Sequence, residues 1–265
     1  MSAADWLAYV GAAAWAPPII SWIHGYYSKP VISVYPANAA EIGFTALGPI
    51  FNLGFVFNCE NKKSLITEFN LTITHEDGAI RNFSWASINE TLSEITDAFG
   101  GRQTVSRTQA PVALKVVTEN LVDKIIRSTE VKFKDEMEPL NRMLLDKINQ
   151  TNLTSPDDFI AQISSTAEYK KFMRTREQWF WWRAGRYGVD VSIGSPNKVA
   201  FKRCSFEFRL EALDVDILKS NINLLDLDSK NAILRHFAGV SQNDAPEPRW
   251  KWLNIPIKAI QQNFQ

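Results

Sequence analysis

From Pro30 onward the chain alternates apolar and polar residues with a period of two, beginning with VISVY at Val31 to Tyr35. In IFNLGFVFNC, Phe51, Leu53, Phe55, Phe57 and Cys59 share one face while Asn52, Gly54, Val56 and Asn58 share the other, the pattern of a half-buried strand. LITEFNLTIT places Leu65, Thr67, Phe69, Leu71 and Ile73 on one side. HEDG then supplies a glycine where the chain reverses, and AIRNFSW runs back as the partner of a hairpin. PVALKVV, AFKRCSFEFRL and RWKWLNIPI predict further strands, with Cys204, Phe206, Phe208 and Leu210 inward in the second. Short antiparallel strands with one apolar face each bury those faces by stacking two sheets. The expectation is a mainly β fold, an immunoglobulin-like antiparallel β-sandwich spanning residues 29–265.

Two stretches break that rhythm. MEPLNRMLLDKI carries Met137, Leu140, Leu144 and Ile148 at helical spacing, and its Pro139 fits a helix only in the first turn. SPDD at Ser155 to Asp158 is a helix start, with serine as N-cap, proline first inside and aspartate placed to close a capping box. The helix it opens is expected to run past Phe172. A helical insertion at about 135–188 therefore interrupts the sandwich, because strands resume at Ala200. A last helix, SKNAILRHFA, takes Asp228 as its N-cap and ends at Gly239.

The first 28 residues obey neither period. Trp6 to Tyr27 holds no Asp, Glu, Lys or Arg, and its length as a helix, about 33 Å, matches a hydrocarbon core of about 30 Å. Trp6 and Tyr9 lie at one end and Trp22, Tyr26 and Tyr27 at the other, where amphipathic rings settle at membrane interfaces. Pro17 and Pro18 kink this helix, so the expected anchor is bent, and either single-pass or monotopic. Ala8, Ala12 and Ala16 form a small-residue ridge suited to close helix packing, in a partner or a homo-oligomer. Asp5 before the segment and Lys29 after it place the main domain in the cytoplasm. The competing readings are a hydrophobic helix buried in protein and a signal peptide cut after Ala14-Trp15-Ala16.

Charge narrows the function classes. Lys and Arg total 29 and so do Asp and Glu, and a chain with no net positive charge is not a general nucleic-acid binder. Locally, Lys170, Lys171, Arg174, Arg176, Arg183 and Arg186 face a single acid, Glu177, in YKKFMRTREQWFWWRAGRYG. With Trp179, Trp181 and Trp182 interleaved, this stretch reads as a patch contacting anionic lipid or a protein partner. Equally, Trp179, Phe180 and Trp182 serve to glue the insertion to the sandwich. His24, His75 and His236 are scattered, Cys59 and Cys204 lack ligand spacing, and no phosphate loop, dinucleotide turn or nucleophile elbow occurs. No cofactor or metal is expected. The sequence therefore points to a membrane-anchored, non-catalytic binding or scaffolding component. Its rivals are an enzyme assembled from dispersed carboxylates such as Asp214, Asp216, Asp226 and Asp228, and a soluble subunit with a buried N-terminal helix.

Overall fold

The computed structural model describes Pro17 and residues 28–96, 102–151, 155–236 and 247–260. Among the described residues thirteen strands are formed: β1 (Val31–Thr45), β2 (Gly48–Glu60), β3 (Ser64–Ile66), β4 (Glu68–His75), β5 (Ile80–Thr96), β6 (Arg102–Gln109), β7 (Leu114–Val116), β8 (Val122–Glu130), β9 (Gly185–Gly194), β10 (Ala200–Phe201), β11 (Cys204–Leu210), β12 (Trp252–Pro256) and β13 (Lys258–Ala259). The helices are α1 (Val131–Gln150), α2 (Pro156–Ser165), α3 (Ala167–Gln178), α4 (Ala212–Lys219) and α5 (Ile222–His236). Strand predominates, so the protein is mainly β.

The expected pair of stacked sheets is replaced by one eleven-stranded sheet in the order β10-β1-β2-β8-β5-β4-β9-β11-β13, with β12 on β1 and β6 on β5. It curls on itself. The consecutive strands β12 and β13 pair with β1 (Gly43 opposite Trp252) and with β11 (Phe206 opposite Ala259), so one stretch of chain joins the two ends of the sheet. Curling does what stacking was expected to do: the apolar faces meet across the interior. Phe51 of β2 lies 6.2 Å from Phe206 of β11, and Phe55 lies 4.9 Å from Phe69 of β4.

The β4–β5 hairpin forms, turning at Glu76 to Ala79 with Gly78 at positive φ, but the single strand expected from Leu65 breaks at Thr67: Ser64–Ile66 pairs with β7 in a separate two-stranded sheet and buries Ile66 rather than Leu65. The helical segment differs from its expected bounds of about 135–188. Its first helix begins at Val131, because the Glu130 carboxylate caps it by accepting from the Phe133 amide at 2.6 Å. Pro139 consequently sits inside the helix, on its exposed side, where water can take up the carbonyl that proline leaves unpaired. Ser155 starts α2 as expected, but Thr166 ends it and caps α3, so the helix breaks before Phe172. Residues 185–188 are strand: in β9, Tyr187, Val189 and Val191 alternate inward between β4 and β11. Asp228 is not an N-cap, since α5 starts six residues before it.

The strand directions give the molecule two dissimilar ends. The β1–β2 turn at Ala46 and Leu47, the β4–β5 turn, the end of β8 and the start of β9 lie at one end, and all five helices connect there. Gly48 follows that turn at φ 77°, and a Cβ on it would lie 2.7 Å from Phe133 Cγ, so the helical cap sits hard on the sheet. The chain enters at the opposite end, where Val31 pairs with Glu60 and Ala200. The bulge between Pro36 and Ala40 takes up two residues of β1, so twelve rises of about 3.3 Å along a strand tilted about 40° separate its two ends by about 30 Å.

Candidate functional site

The helical cap holds a groove of ≈ 670 Å³ between α1 and α5, floored by α3 and closed at one side by the β1–β2 turn. Phe133, Met137, Leu144 and Ile148 of α1 and Phe172 of α3 and Ile233 of α5 make its wall largely apolar. Leu47 and Leu145 stand at its rim 55% and 38% exposed, large apolar side chains left to solvent on the same depression. The volume falls in the range of about 300–1,000 Å³ typical of binding sites.

Its floor is polar but internally satisfied. Arg176 is 4% exposed, donating to Ser229 Oγ at 2.5 Å and to Asp228 Oδ2 at 3.1 Å, while Ser229 Oγ donates to the Leu225 carbonyl at 2.7 Å. Burial pulls the Arg176 guanidinium below its ordinary value, and the Asp228 charge opposes that shift. Outside the groove's lining, Tyr169 donates to Asp226 Oδ1 at 2.7 Å; burial first, and that carboxylate second, push its phenol well up. Glu130, 1% exposed, has its carboxyl raised by desolvation against the pull of the Phe133 amide. These groups are held in place by one another and by the backbone, and the lining adds Lys134, Glu138 and Asn141 to the apolar surface that the groove offers an occupant.

The basic and aromatic stretch is divided by the fold. Trp179, Trp181 and Trp182 are 8%, 6% and 1% exposed and belong to the core, so the expected mixed surface is corrected: its tryptophans face inward. Trp179 Nε1 donates to Glu136 and its ring stands edge-on to Phe133 with Arg81 above it; Trp182 Nε1 donates to the Gly43 carbonyl. They join the helical cap to the sheet because burying large rings removes the most apolar surface from water. Arg176 is buried in its ion pair. Lys170, Lys171 and Arg174 are exposed on α3, Arg186 is exposed on β9, and Arg183 is exposed and bridges to Asp77 at 2.6 Å.

Asp214 accepts from the Glu211 amide at the start of α4, Asp226 is held by Tyr169 and Lys230, and among the described residues no three His, Cys, Asp or Glu side chains group as a metal site. Cys59 and Cys204 are free buried thiols, and burial pushes Cys204 up to about 11. His75 is buried beside Tyr187, its Nε2 3.2 Å from the Ala184 carbonyl. The anchor residues Trp6, Tyr9, Trp22, Tyr26 and Tyr27, and the ridge of Ala8, Ala12 and Ala16, lie outside the described residues. No helix among the described residues is long and apolar enough to cross a membrane.

The Asp77 carboxylate accepts from the Ala79 amide and from Arg183 and lies against the His75 ring, and these neighbours hold it down at about 2. A folded value below the unfolded one contributes stability above about pH 4 that disappears as pH falls toward 2. Chemical denaturation of the wild type and Asp77→Asn should therefore differ by a constant amount above pH 5, with the gap closing between pH 4 and 2; a gap that widens with acid would contradict this.

A mainly β protein with a helical cap and an apolar groove is what the fold and site define. No family model, curated protein or solved structure matches the chain.

Proposed function

We propose that the protein is a non-catalytic binding component, anchored to a membrane by its first 28 residues, which uses the groove of its helical cap to hold an amphipathic helix of a protein partner. The observation that carries this reading is the groove itself, with Leu47 and Leu145 exposed on its rim and no unsatisfied polar group on its floor to orient a small polar ligand. Its wall from Lys134 to Ile148 extends about 21 Å, the length of a helix of about 15 residues, and lies between two helices over a third. The charge-free, aromatic-bounded segment from Trp6 to Tyr27 supports the anchor. In this arrangement the chain leaves for the membrane at one end of the sheet and the groove stands about 30 Å away at the other. That separation turns the exposed Lys170, Lys171 and Arg174 from lipid contacts into charges flanking a protein-binding surface.

The test is a photo-crosslinking amino acid placed at position 145 of the full chain in native membranes, with position 115 on a sheet strand as control. A protein adduct specific to position 145 is expected, and Ile233→Asp in the groove wall should reduce it at least about tenfold, since a buried charge replaces hydrophobic contact. Equal adducts from both positions, or none, would reject the groove as a docking surface.

A further inference from the structure

We infer that the end of the sheet where the chain enters is a basic face that binds anionic lipid headgroups. Lys29, Lys62, Lys63, Lys198, Lys202 and Arg203 come from three segments far apart in sequence. The fold draws those segments together around the first described residues. Val31 pairs with Glu60 on one side and Ala200 on the other, the Asn61 side chain donates to the Lys29 carbonyl at 3.0 Å, and the Lys202 amide donates to the Ile32 carbonyl at 2.9 Å. Ser64 Oγ lies 3.4 Å from Ser195 Oγ, and the Thr67 amide donates to the Gly194 carbonyl, tying the two turns that carry Lys62, Lys63 and Lys198.

Lys29, Lys63, Lys198, Lys202 and Arg203 are exposed; the acids near this end are Glu60, Glu68 and Asp190, with Glu119 and Asp123 carried in by the β3–β7 and β2–β8 registers, where β7 also brings Lys115. Glu60 pairs with Lys202 at 2.9 Å and Asp190 with Arg203 at 3.0 Å, so the corner keeps an excess of positive charge. In a chain with no net charge overall this excess is a property of place. It surrounds the point where the backbone passes to the charge-free segment ending at Tyr27. Basic side chains beside a membrane entry are attracted to the negative surface of anionic lipids within a Debye length. The same asymmetry strengthens the orientation that Lys29 alone suggested, since positive charge collects on the cytoplasmic side. This inference rests on the anchor of the proposed function and adds the lipid class and the residues that select it.

The test uses the full chain in nanodiscs of phosphatidylcholine alone or with phosphatidylserine, read by amide hydrogen exchange. Exchange at residues 28–32, 60–64 and 197–203 should slow at least about fivefold in the anionic discs alone, and raised salt should reverse it. The quadruple variant Lys29→Gln, Lys63→Gln, Lys198→Gln, Arg203→Gln should lose the protection with its thermal midpoint unchanged. Lys170→Gln with Lys171→Gln and Arg174→Gln, at the helical end, should keep it. Equal exchange in the two discs overturns the basic face and leaves the anchor standing. A chain that fails to stay in neutral discs overturns the anchor. The face is then decided by sedimentation with phosphatidylserine vesicles: salt-sensitive binding at least about tenfold stronger for wild type than for the quadruple variant supports it, and no binding overturns it. Protection by single-stranded RNA but not by anionic lipid also overturns it.

Discussion

Trp182→Ala is expected to lower the unfolding free energy measured in urea further than any single change in the sheet surface, by about 3–5 kcal/mol. The side chain is 1% exposed and touches four other rings: Trp181 at 5.0 Å, Tyr187 at 5.8 Å, Phe83 at 6.2 Å and Phe208 at 6.4 Å. Removing it opens a cavity that these rings, fixed on three different strands and a loop, cannot all move to fill. It also takes away the donor for the Gly43 carbonyl, on the stretch of β1 that pairs with Trp252 where the sheet closes. Against a total stability of about 5–15 kcal/mol, such a loss leaves the fold marginal. Trp182→Phe separates the causes: it keeps most of the ring and loses the indole N–H, and should cost about 1–2 kcal/mol. Equal losses for both variants would mean that the hydrogen bond, not the packing, joins the cap to the sheet.

Arg176→Met should cost about 3–5 kcal/mol, although methionine fills much of the same space, because it strands the Asp228 carboxylate in a site that was solvated by the guanidinium. Arg176 and Asp228 side chains are 5% and 22% exposed, so water replaces the lost partner only in part. The double variant Arg176→Met, Asp228→Leu should recover most of the loss, since an apolar pair in place of a buried ion pair is often neutral or stabilising. Thermal and urea midpoints of the two variants check this, and a double variant no more stable than the single would show that Ser229 and the groove wall depend on the charge. Recovery of stability with loss of the position 145 crosslink would place the pair in partner recognition as well.

The groove was only partly legible in the sequence. Met137, Leu140, Leu144 and Ile148 stand out by their spacing, and all four are buried. Leu145 was readable as an apolar residue beside that stripe, but whether it is covered depends on α5, more than seventy residues later. Arg176 looked like a member of a surface patch because its neighbours in sequence are basic. Its actual partners, Asp228 and Ser229, lie 52 and 53 residues away. Glu130 gave no signal as a helix cap, since the preference for serine, threonine, aspartate or asparagine at that position points elsewhere.

Local pattern was enough for the opening of β1 and of β5, for most of β2 and β4, for β11, for the β4–β5 turn, for the start of α2 and for the apolar stripe of α1, because alternation, capping and helical spacing act within a few residues. Long-range contact settles that these strands form one curled sheet, that the three tryptophans point inward, and that basic residues from three distant segments meet where the chain enters. A period of two says which residues share a face and not which strand lies beside them. Closure through β12 and β13, burial and local charge excess all depend on pairings between residues far apart in the chain, which no local pattern encodes.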